Sequence, residues 1–198
     1  DGLYGLNATD GSVVWNREGV DTIGSAPVVL DGTVFVGGEN AVMWALSADT
    51  GETVWNHSYA TNGLPADFSS PTAANGRVFV PNSDGRLYVH DAENGSVLWT
   101  RAVGYTSATP AVRNGIVYVA DADGAPFLQA FDADTGETVW TATADFGYTG
   151  LAVAGDTVFL ATCGNAAFAY DAATGERRWT RPDVGCAYDV SEPVAAEG

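Results

Sequence analysis

An eleven-residue pattern recurs five times along this 198-residue chain. Its fullest copies run from Ala130 to Trp140 (AFDADTGETVW) and from Ala169 to Trp179 (AYDAATGERRW). The looser copies are GLNATDGSVVW, ALSADTGETVW and VHDAENGSVLW. The pattern consists of an apolar run, a polar corner with Gly and a second run that ends in Trp. It predicts a β-hairpin whose corner needs a residue at positive φ. The corner glycines are Gly11, Gly51, Gly95, Gly136 and Gly175.

The repeat tryptophans lie 40, 44, 41 and 39 residues apart. About four strands of roughly six residues, joined by links of roughly four, fill such a period, which is that of one β-propeller blade. Helical repeats of similar length need long apolar stripes at helical spacing. The chain has 24 Gly, 8 Pro and no such stripe. The sequence therefore predicts an all-β propeller of four-stranded antiparallel blades.

A second segment recurs before the corners, as SAPVVLDGTVFVGG, SSPTAANGRVFVPN, SATPAVRNGIVYVAD and, more weakly, TGLAVAGDTVFLAT. Each reads as two strands joined by a tight Asp-Gly, Asn-Gly or Gly-Asp turn. Together with the corner hairpin it supplies four strands, A to D, for each blade. We therefore expect one continuous array over residues 1–198. Its complete blades are expected at about 22–58, 66–102, 105–143 and 147–182.

The predicted array has a partial blade at each end. Residues 1–18 supply only a C–D hairpin, and SEPVAAEG within 188–198 resembles the start of an A strand. Strand B is missing from this set, so the two ends cannot complete one blade. We expect either a segment of a larger propeller or a gap filled by a partner chain, including self-association through the open ends.

The element AxDxxTGxxxW resembles the repeat of the pyrroloquinoline-quinone (PQQ) dehydrogenase-like propellers, a superfamily that also has non-enzymatic, BamB-like members. Ala130, Asp132, Thr135, Gly136 and Trp140 match every position of the motif. The resemblance covers essentially the whole chain and implies a propeller of about seven or eight blades. A WD40 propeller is disfavoured because the chain has no Trp-Asp or Gly-His dipeptide.

The resemblance implies that each repeat Trp docks between neighbouring blades, against the Ala and Gly of an adjacent motif. These inter-blade residues are Trp15, Trp55, Trp99, Trp140 and Trp179. Dehydrogenases of the superfamily hold PQQ beneath a disulfide of adjacent cysteines, above a Trp floor and beside a calcium bound by Glu, Asn and Asp. This chain has no Cys-Cys pair, and no set of its residues maps onto that site.

We therefore assign no catalytic, cofactor-binding or metal-binding residue, and the sequence favours a non-enzyme. The leading hypothesis is a scaffold that binds a protein or a small molecule. The alternatives are a fragment of a PQQ-dependent dehydrogenase, which would use PQQ and calcium, and a sensor domain of a membrane-anchored protein. Fold alone does not decide between them.

The charge of the chain is strongly biased. A formal net charge of −17 comes from 25 acidic residues against eight basic ones, all of them Arg. Such a composition is typical of proteins from extreme halophiles, in which molar salt screens the repulsion between carboxylates. An anionic surface disfavours nucleic acid as a partner. No run of 18 apolar residues occurs, so we expect no direct membrane insertion.

Cys163 and Cys186 are the only cysteines. They fall on a B–C and a D–A connection, which emerge on the same face of a blade, so a disulfide is sterically reasonable. Two free thiols and a metal or catalytic role are the alternatives. A bridge would imply an oxidising compartment, so we expect an extracellular or cell-surface location.

The longest link, His57 to Ser70, accounts for the 44-residue spacing, and extra loop length often carries function. Its side chains and those of the corresponding links could form an aromatic, acidic binding rim, although ordinary loop packing is the alternative. The rim residues are Tyr59, Asp67, Phe68, Tyr105 and Tyr148.

We expect His57 to be solvated and His90 to be a half-buried strand residue. Asp121 to Gly124 has the spacing of a cation loop, but an Asp-rich turn is favoured.

The acidic surface predicts a marked dependence of stability on salt. We expect the melting temperature to rise steeply between about 0.1 and 2 M NaCl, because a Debye length of about 3 Å at 1 M suppresses carboxylate repulsion. Thermal unfolding followed by circular dichroism measures this. A melting temperature that stays flat over the same range would contradict the halophilic interpretation.

Overall fold

The computed structural model describes residues 2–20, 25–38, 41–59, 70–105, 108–121, 127–143, 149–162 and 166–182. Within these ranges the regular structure consists of eighteen β-strands. Contacts divide the chain into two compact units, Asp1–Thr100 and Arg101–Gly198, which are described separately below.

The first unit contains a hairpin and two four-stranded sheets. The N-terminal hairpin pairs β1 (Gly2–Leu6) with β2 (Val13–Glu18). Sheet 1 comprises β3 (Val28–Leu30), β4 (Thr33–Gly38), β5 (Val42–Ser47) and β6 (Thr53–Ser58). Sheet 2 comprises β7 (Thr72–Ala74), β8 (Arg77–Asn82), β9 (Arg86–Asp91) and β10 (Val97–Ala102), the last of which crosses the boundary between the units.

The second unit contains two further sheets. Sheet 3 comprises β11 (Ala111–Arg113), β12 (Ile116–Ala120), β13 (Leu128–Asp132) and β14 (Thr138–Ala142). Sheet 4 comprises β15 (Thr149–Ala154), β16 (Thr157–Thr162), β17 (Ala166–Asp171) and β18 (Arg177–Pro182). In all four sheets the hydrogen-bonded neighbours follow chain order, which confirms the predicted antiparallel A, B, C, D arrangement.

The tight turns between the first two strands of each sheet have the expected conformations. Asp31 and Gly32 both have positive φ, at 48° and 76°, as a type I′ hairpin requires. Asn75 and Asn114 repeat this geometry, each followed by Gly. In sheet 4 Ala154 pairs with Thr157 across a two-residue turn. The tight turns predicted from the sequence are therefore present and set the register of the strands that they join.

The polar residues of the corner close its turn through backbone hydrogen bonds. Asp132 Oδ1 accepts from the amides of Asp134 and Thr135, at 3.0 and 2.8 Å. The Thr135 hydroxyl in turn accepts from the Glu137 amide. Gly136 then takes a φ of 68°, and the other four corner glycines lie between 71° and 75°. The polar side chains of the motif therefore form hydrogen bonds that stabilise their own turn.

The core lies along the second and third strands of each sheet. All of β8 after its first residue is buried, and β4 and β12 have the same pattern. The first strands, such as β3, are only partly buried. This follows from position, because an inner strand has neighbours on both edges and packs on both faces.

Three repeat tryptophans dock on the corner of the next sheet within the same unit. The indole Nε1 of Trp15 donates to the Ala48 carbonyl at 2.8 Å. Trp55 donates likewise to Ala92 at 2.9 Å, and Trp140 to Ala172 at 3.0 Å. Each ring also covers the corner glycine, and a Cβ built at Gly51, Gly95 or Gly175 would lie 2.5–2.7 Å from indole carbons. Only Gly therefore permits this contact.

The rings of Trp99 and Trp179 each contact a Phe of their own sheet. Trp99 is buried and its ring meets Phe79 of its own sheet edge-on, with centroids 6.4 Å apart. Trp179 is 45% exposed and lies against Phe159, also of its own sheet. Among the described residues Trp179 thus makes no contact like those of Trp15, Trp55 and Trp140.

Two glycine substitutions separate the indole contact from backbone strain. Gly76 and Gly95 have nearly the same φ, 71° and 75°, but a Cβ at Gly76 meets nothing within 4 Å whereas one at Gly95 would collide with Trp55. We expect Gly76→Ala to cost about 1–2 kcal/mol through positive φ alone. Gly95→Ala should cost about 1–3 kcal/mol more through overpacking. Denaturant unfolding of both variants measures the difference, and equal losses would contradict the proposed contact.

Candidate functional site

Two histidines and two tyrosines meet between sheets 1 and 2. His57 lies in β6 and Tyr59 directly follows it, while Tyr88 and His90 lie in β9. The His57 ring centroid is 4.7 Å from that of Tyr59 and 4.8 Å from that of His90. Tyr59 and Tyr88 are in edge-on contact at 4.7 Å. We call these four residues the histidine–tyrosine cluster.

Strand periodicity produces the cluster. Alternate residues of a strand share one face, so Trp55, His57 and Tyr59 point to the same side. Tyr88 and His90 share a face of β9 for the same reason, and both contact Tyr59. The cluster therefore extends the indole contact of Trp55, whose ring stacks on His90 at 5.8 Å, toward the end of β6.

Hydrogen bonds hold His90 in one neutral tautomer. Its Nδ1 lies 2.9 Å from the Gly95 carbonyl, which can only accept, so Nδ1 carries the proton. Nε2 then accepts the hydroxyl proton of Tyr59 at 2.6 Å. Burial lowers the pKa of His90 to about 4, with the nearby His57 acting in the same direction. His90 is thus neutral at pH 7.

The tyrosines are held protonated by the same environment. Burial raises the pKa of Tyr59, and electrostatic interactions with Tyr88 and Asp84 act in the same direction. The Tyr88 hydroxyl donates to Asp84 Oδ2 at 2.6 Å, and burial followed by this carboxylate raises the pKa of Tyr88 to about 12. Chemically the cluster offers neutral hydrogen-bonding groups and aromatic faces.

The structure corrects three expectations about these side chains. His57 was expected to be solvated, but it is half-buried among aromatic rings, and burial lowers its pKa. His90 was expected to be half-buried and is fully buried. Tyr59 was assigned to an exposed rim, yet it is only 7% exposed because its hydroxyl reaches inward to His90. No local sequence pattern indicated the Tyr59–His90 bond, which joins residues 31 positions apart.

The other predicted site residues are only partly within the described ranges. Tyr105 is 44% exposed. Asp67, Phe68, Tyr148, Cys163 and Cys186 lie outside the described residues, as do Ala122 to Gly124. Asp121 is buried, its amide donating to the Phe127 carbonyl and its carboxylate lying against Gly104. In the part of the chain that the structure describes, no three His, Cys, Asp or Glu side chains are placed to hold a metal.

Equivalent grooves lie between the sheets of each unit, beside the tight turns and corners. The groove between sheets 1 and 2 has a volume of about 400 Å³ and is lined by Leu30, Phe35, Asp31 and Glu93, among others. The groove between sheets 3 and 4 is smaller, about 180 Å³, with Arg113 where the first has Leu30. The first groove thus joins an apolar floor to an acidic margin.

Comparison with known proteins assigns the fold to a family. The model of the family described as outer membrane protein assembly factor BamB matches residues 1–181. The chain belongs to the BamB family. This family assignment confirms the kinship that the AxDxxTGxxxW motif indicated. Among curated proteins, none matches the sequence at a significant level.

Solved structures confirm the β-propeller architecture expected of a BamB relative. BamB from Moraxella catarrhalis superposes with a TM-score of 0.75 at 25% identity, covering 89% of this chain and 53% of that protein. A europium-containing methanol dehydrogenase superposes with a TM-score of 0.76 at 15% identity, covering 91% of this chain and 47% of that protein. The quinohemoprotein alcohol dehydrogenase ADHIIG from Pseudomonas putida HK5 superposes with a TM-score of 0.67 at 20% identity. This match covers 80% of this chain and 34% of that protein. The two dehydrogenases show the fold alone.

The chain spans about half the length of the M. catarrhalis BamB structure and less than half of either dehydrogenase. The four-stranded sheets therefore correspond to blades of partial propellers. No helix among the described residues is long and apolar enough to cross a bilayer.

Buried His90 makes stability depend on pH. Its pKa falls from an ordinary 6.5 to about 4 on folding, so the unfolded chain binds the proton more readily. Stability should therefore be greatest above pH 6.5 and fall by about 3 kcal/mol as the pH decreases toward 4. His90→Phe, which copies Phe131 of the equivalent position, should remove this component. Denaturant unfolding from pH 4 to 7 measures both profiles.

Tyr170→Phe provides the matched control. Tyr170 occupies the equivalent position in sheet 4 and donates to the Thr143 carbonyl at 3.1 Å. Loss of the Tyr170 hydroxyl should lower the free energy of unfolding by the same amount at every pH. A His90→Phe profile parallel to that of the wild type would show that His90 does not carry the effect.

Proposed function

We propose that this chain belongs to a non-enzymatic scaffold that binds a protein or a small-molecule ligand. The family is named for outer membrane protein assembly, which supports a role in interaction rather than in catalysis. The observation that carries the proposal is that the repeated polar groups form hydrogen bonds within the fold itself. Asp132 and Asp171 accept backbone hydrogen bonds within their corners. The indole N–H groups of Trp55 and Trp140 join sheets.

Such a repeat builds a rigid support whose recognition surface lies in the links between blades. Tyr105 is the described member of the proposed rim that is exposed, and aromatic side chains of this kind are frequent in interfaces. Asp67, Phe68 and Tyr148 complete the proposed rim. Within the first unit, the Tyr59–His90 hydrogen bond holds Tyr59 at the start of the longest link.

The proposed setting is the cell surface or the extracellular space of a halophile. A net charge of −17 carried with eight Arg and no Lys supports it. A Cys163–Cys186 disulfide would be compatible with export. The same negative charge disfavours nucleic acid and anionic membranes as partners, which leaves proteins and small molecules.

A photo-crosslinking residue at position 105 tests the scaffold function. We expect Tyr105→benzoylphenylalanine, expressed in the native host, to yield one dominant crosslinked protein that also copurifies with the unmodified chain. The same replacement of Val139 is the control, because Val139 is 45% exposed on an outer strand of the same unit. Mass spectrometry identifies the product, and identical products at both positions would contradict recognition through the rim.

A cofactor titration tests the competing dehydrogenase hypothesis. PQQ and calcium are added to the longer native protein that contains this chain, while tryptophan fluorescence and dye reduction are followed. The scaffold hypothesis predicts no saturable change in either signal. Saturable binding accompanied by dye reduction with an alcohol would overturn it.

A further inference from the structure

Two equivalent grooves of this chain differ in whether a basic side chain lines them. The smaller groove, between sheets 3 and 4, has a volume of about 180 Å³ and contains Arg113 at the end of β11. The larger groove, between sheets 1 and 2, has a volume of about 400 Å³ and contains Leu30 at the end of β3. Leu30 pairs with Thr33 and Arg113 with Ile116 across the same two-residue turn, so the two positions are equivalent.

Arg113 shows how the smaller groove holds a cation. Its Nε atom is buried. Burial, followed by the charge of Asp171, raises the pKa of Tyr118, whereas Arg113 lowers it, so the guanidinium lies within electrostatic range of this hydroxyl. The Tyr118 hydroxyl donates to the Ala172 carbonyl of the next corner at 3.1 Å. The cation of the smaller groove is therefore supplied by the chain itself.

The larger groove has additional negative charge in place of this cation. Asp31 stands where the smaller groove has Asn114, and Glu93 stands where it has Ala173. Asp91 also lines the larger groove, and none of the described residues that line it is basic. Its charges are therefore complementary to a cation that comes from outside the groove.

The floor of the larger groove is apolar and fixed in position. Phe35 stands where the smaller groove has Tyr118, and it is fully buried. Its ring centroid lies 5.7 Å from that of Trp55, whose Nε1 donates to the Ala92 carbonyl at 2.9 Å. Leu30 lines the groove beside Phe35. An apolar floor with an acidic margin suits a side chain that has an aliphatic stem and a cationic end.

We propose that the larger groove binds an arginine side chain carried by an extended segment of a partner protein. The stem packs over Leu30, and the guanidinium lies between Asp31 and Glu93, in the place that Arg113 fills in the smaller groove. An extended segment is the source because Arg113 is itself presented by a short strand. Arginine fits better than lysine, since its planar guanidinium donates to carboxylates on both margins.

This groove adds a recognition site to the proposed scaffold and does not depend on the rim. It consists of tight turns and a corner, whereas the rim residues lie in links between blades. Loss of the crosslink at Tyr105 would contradict the rim and leave the groove unaffected. Loss of arginine binding would contradict the groove and leave the rim unaffected.

A peptide titration tests the proposal. The probe is the peptide AVRNG, which copies residues 111–115 and carries a neutral fluorophore. It is added to the longer native protein that contains this chain, at the lowest salt at which circular dichroism shows a folded protein, because added salt screens the carboxylates. We expect saturable binding by fluorescence anisotropy. Leu in place of the peptide Arg should raise the dissociation constant at least about tenfold.

Three substitutions copy the smaller groove into the larger one. Leu30→Arg supplies an internal cation and should weaken peptide binding at least about tenfold, because two guanidinium groups would compete for one place. Asp31→Asn and Glu93→Ala each remove one charge and should weaken binding about two- to fivefold. Each introduces a residue that the chain already has at the equivalent place, so the turn and the corner should keep their conformations.

Two controls separate the groove from general charge and from misfolding. Glu52→Gln also removes one negative charge, at an exposed position outside the groove lining, and should bind the peptide like the wild type. Leu30→Met keeps the apolar floor and should do likewise. Absence of saturable binding by the wild type, or unchanged binding by Leu30→Arg, would overturn the proposal. N-acetylarginine amide binding as tightly as the peptide would overturn the extended segment as occupant, in favour of a small guanidinium compound.

Discussion

An indole ring that can approach only a corner without a Cβ connects neighbouring sheets within each unit. The close approach of Trp15, Trp55 and Trp140 requires Gly at the corner, and the positive φ of the corner requires it independently. One residue type therefore meets two separate constraints, one local and one tertiary. The hydrogen bond from each Nε1 to an Ala carbonyl then fixes the position of the ring. Folding of one hairpin thus depends on a properly formed neighbour.

The position before the corner Asp shows how one repeat site acquires different chemistry. It is Leu46 in sheet 1, where Ser47 takes the place of the Asp, His90 in sheet 2, Phe131 in sheet 3 and Tyr170 in sheet 4, and all four side chains are buried. Because His90 replaces an apolar side chain, it needs hydrogen-bond partners for both ring nitrogens, and Tyr59 and Gly95 supply them. The His at this buried position thus connects the link after β6 to sheet 2 without changing the fold.

The acidic composition has two structural origins. Corner carboxylates such as Asp91, Asp132 and Asp171 each accept two backbone amides, so they contribute to turn formation at any ionic strength. Other carboxylates, such as Glu93 beside the groove between sheets 1 and 2, lie on the surface. A dependence of stability on salt would arise from the second group, because close hydrogen bonds are screened less than exposed charges.

The sequence by itself determined the sheets, their strand order, the tight turns and the corner conformations. These features depend on residues close in the chain, such as Asn75 and Gly76, whose backbone preferences act locally. It also indicated the family, since the motif repeats at a period that few folds share.

Only the tertiary structure decided which side chains meet across sheets. Tyr59 and His90 are 31 positions apart, and their bond depends on the packing of β6 against β9, which no local pattern encodes. Local preferences set backbone geometry, whereas burial and partner choice depend on contacts between distant residues that form only when the sheets pack.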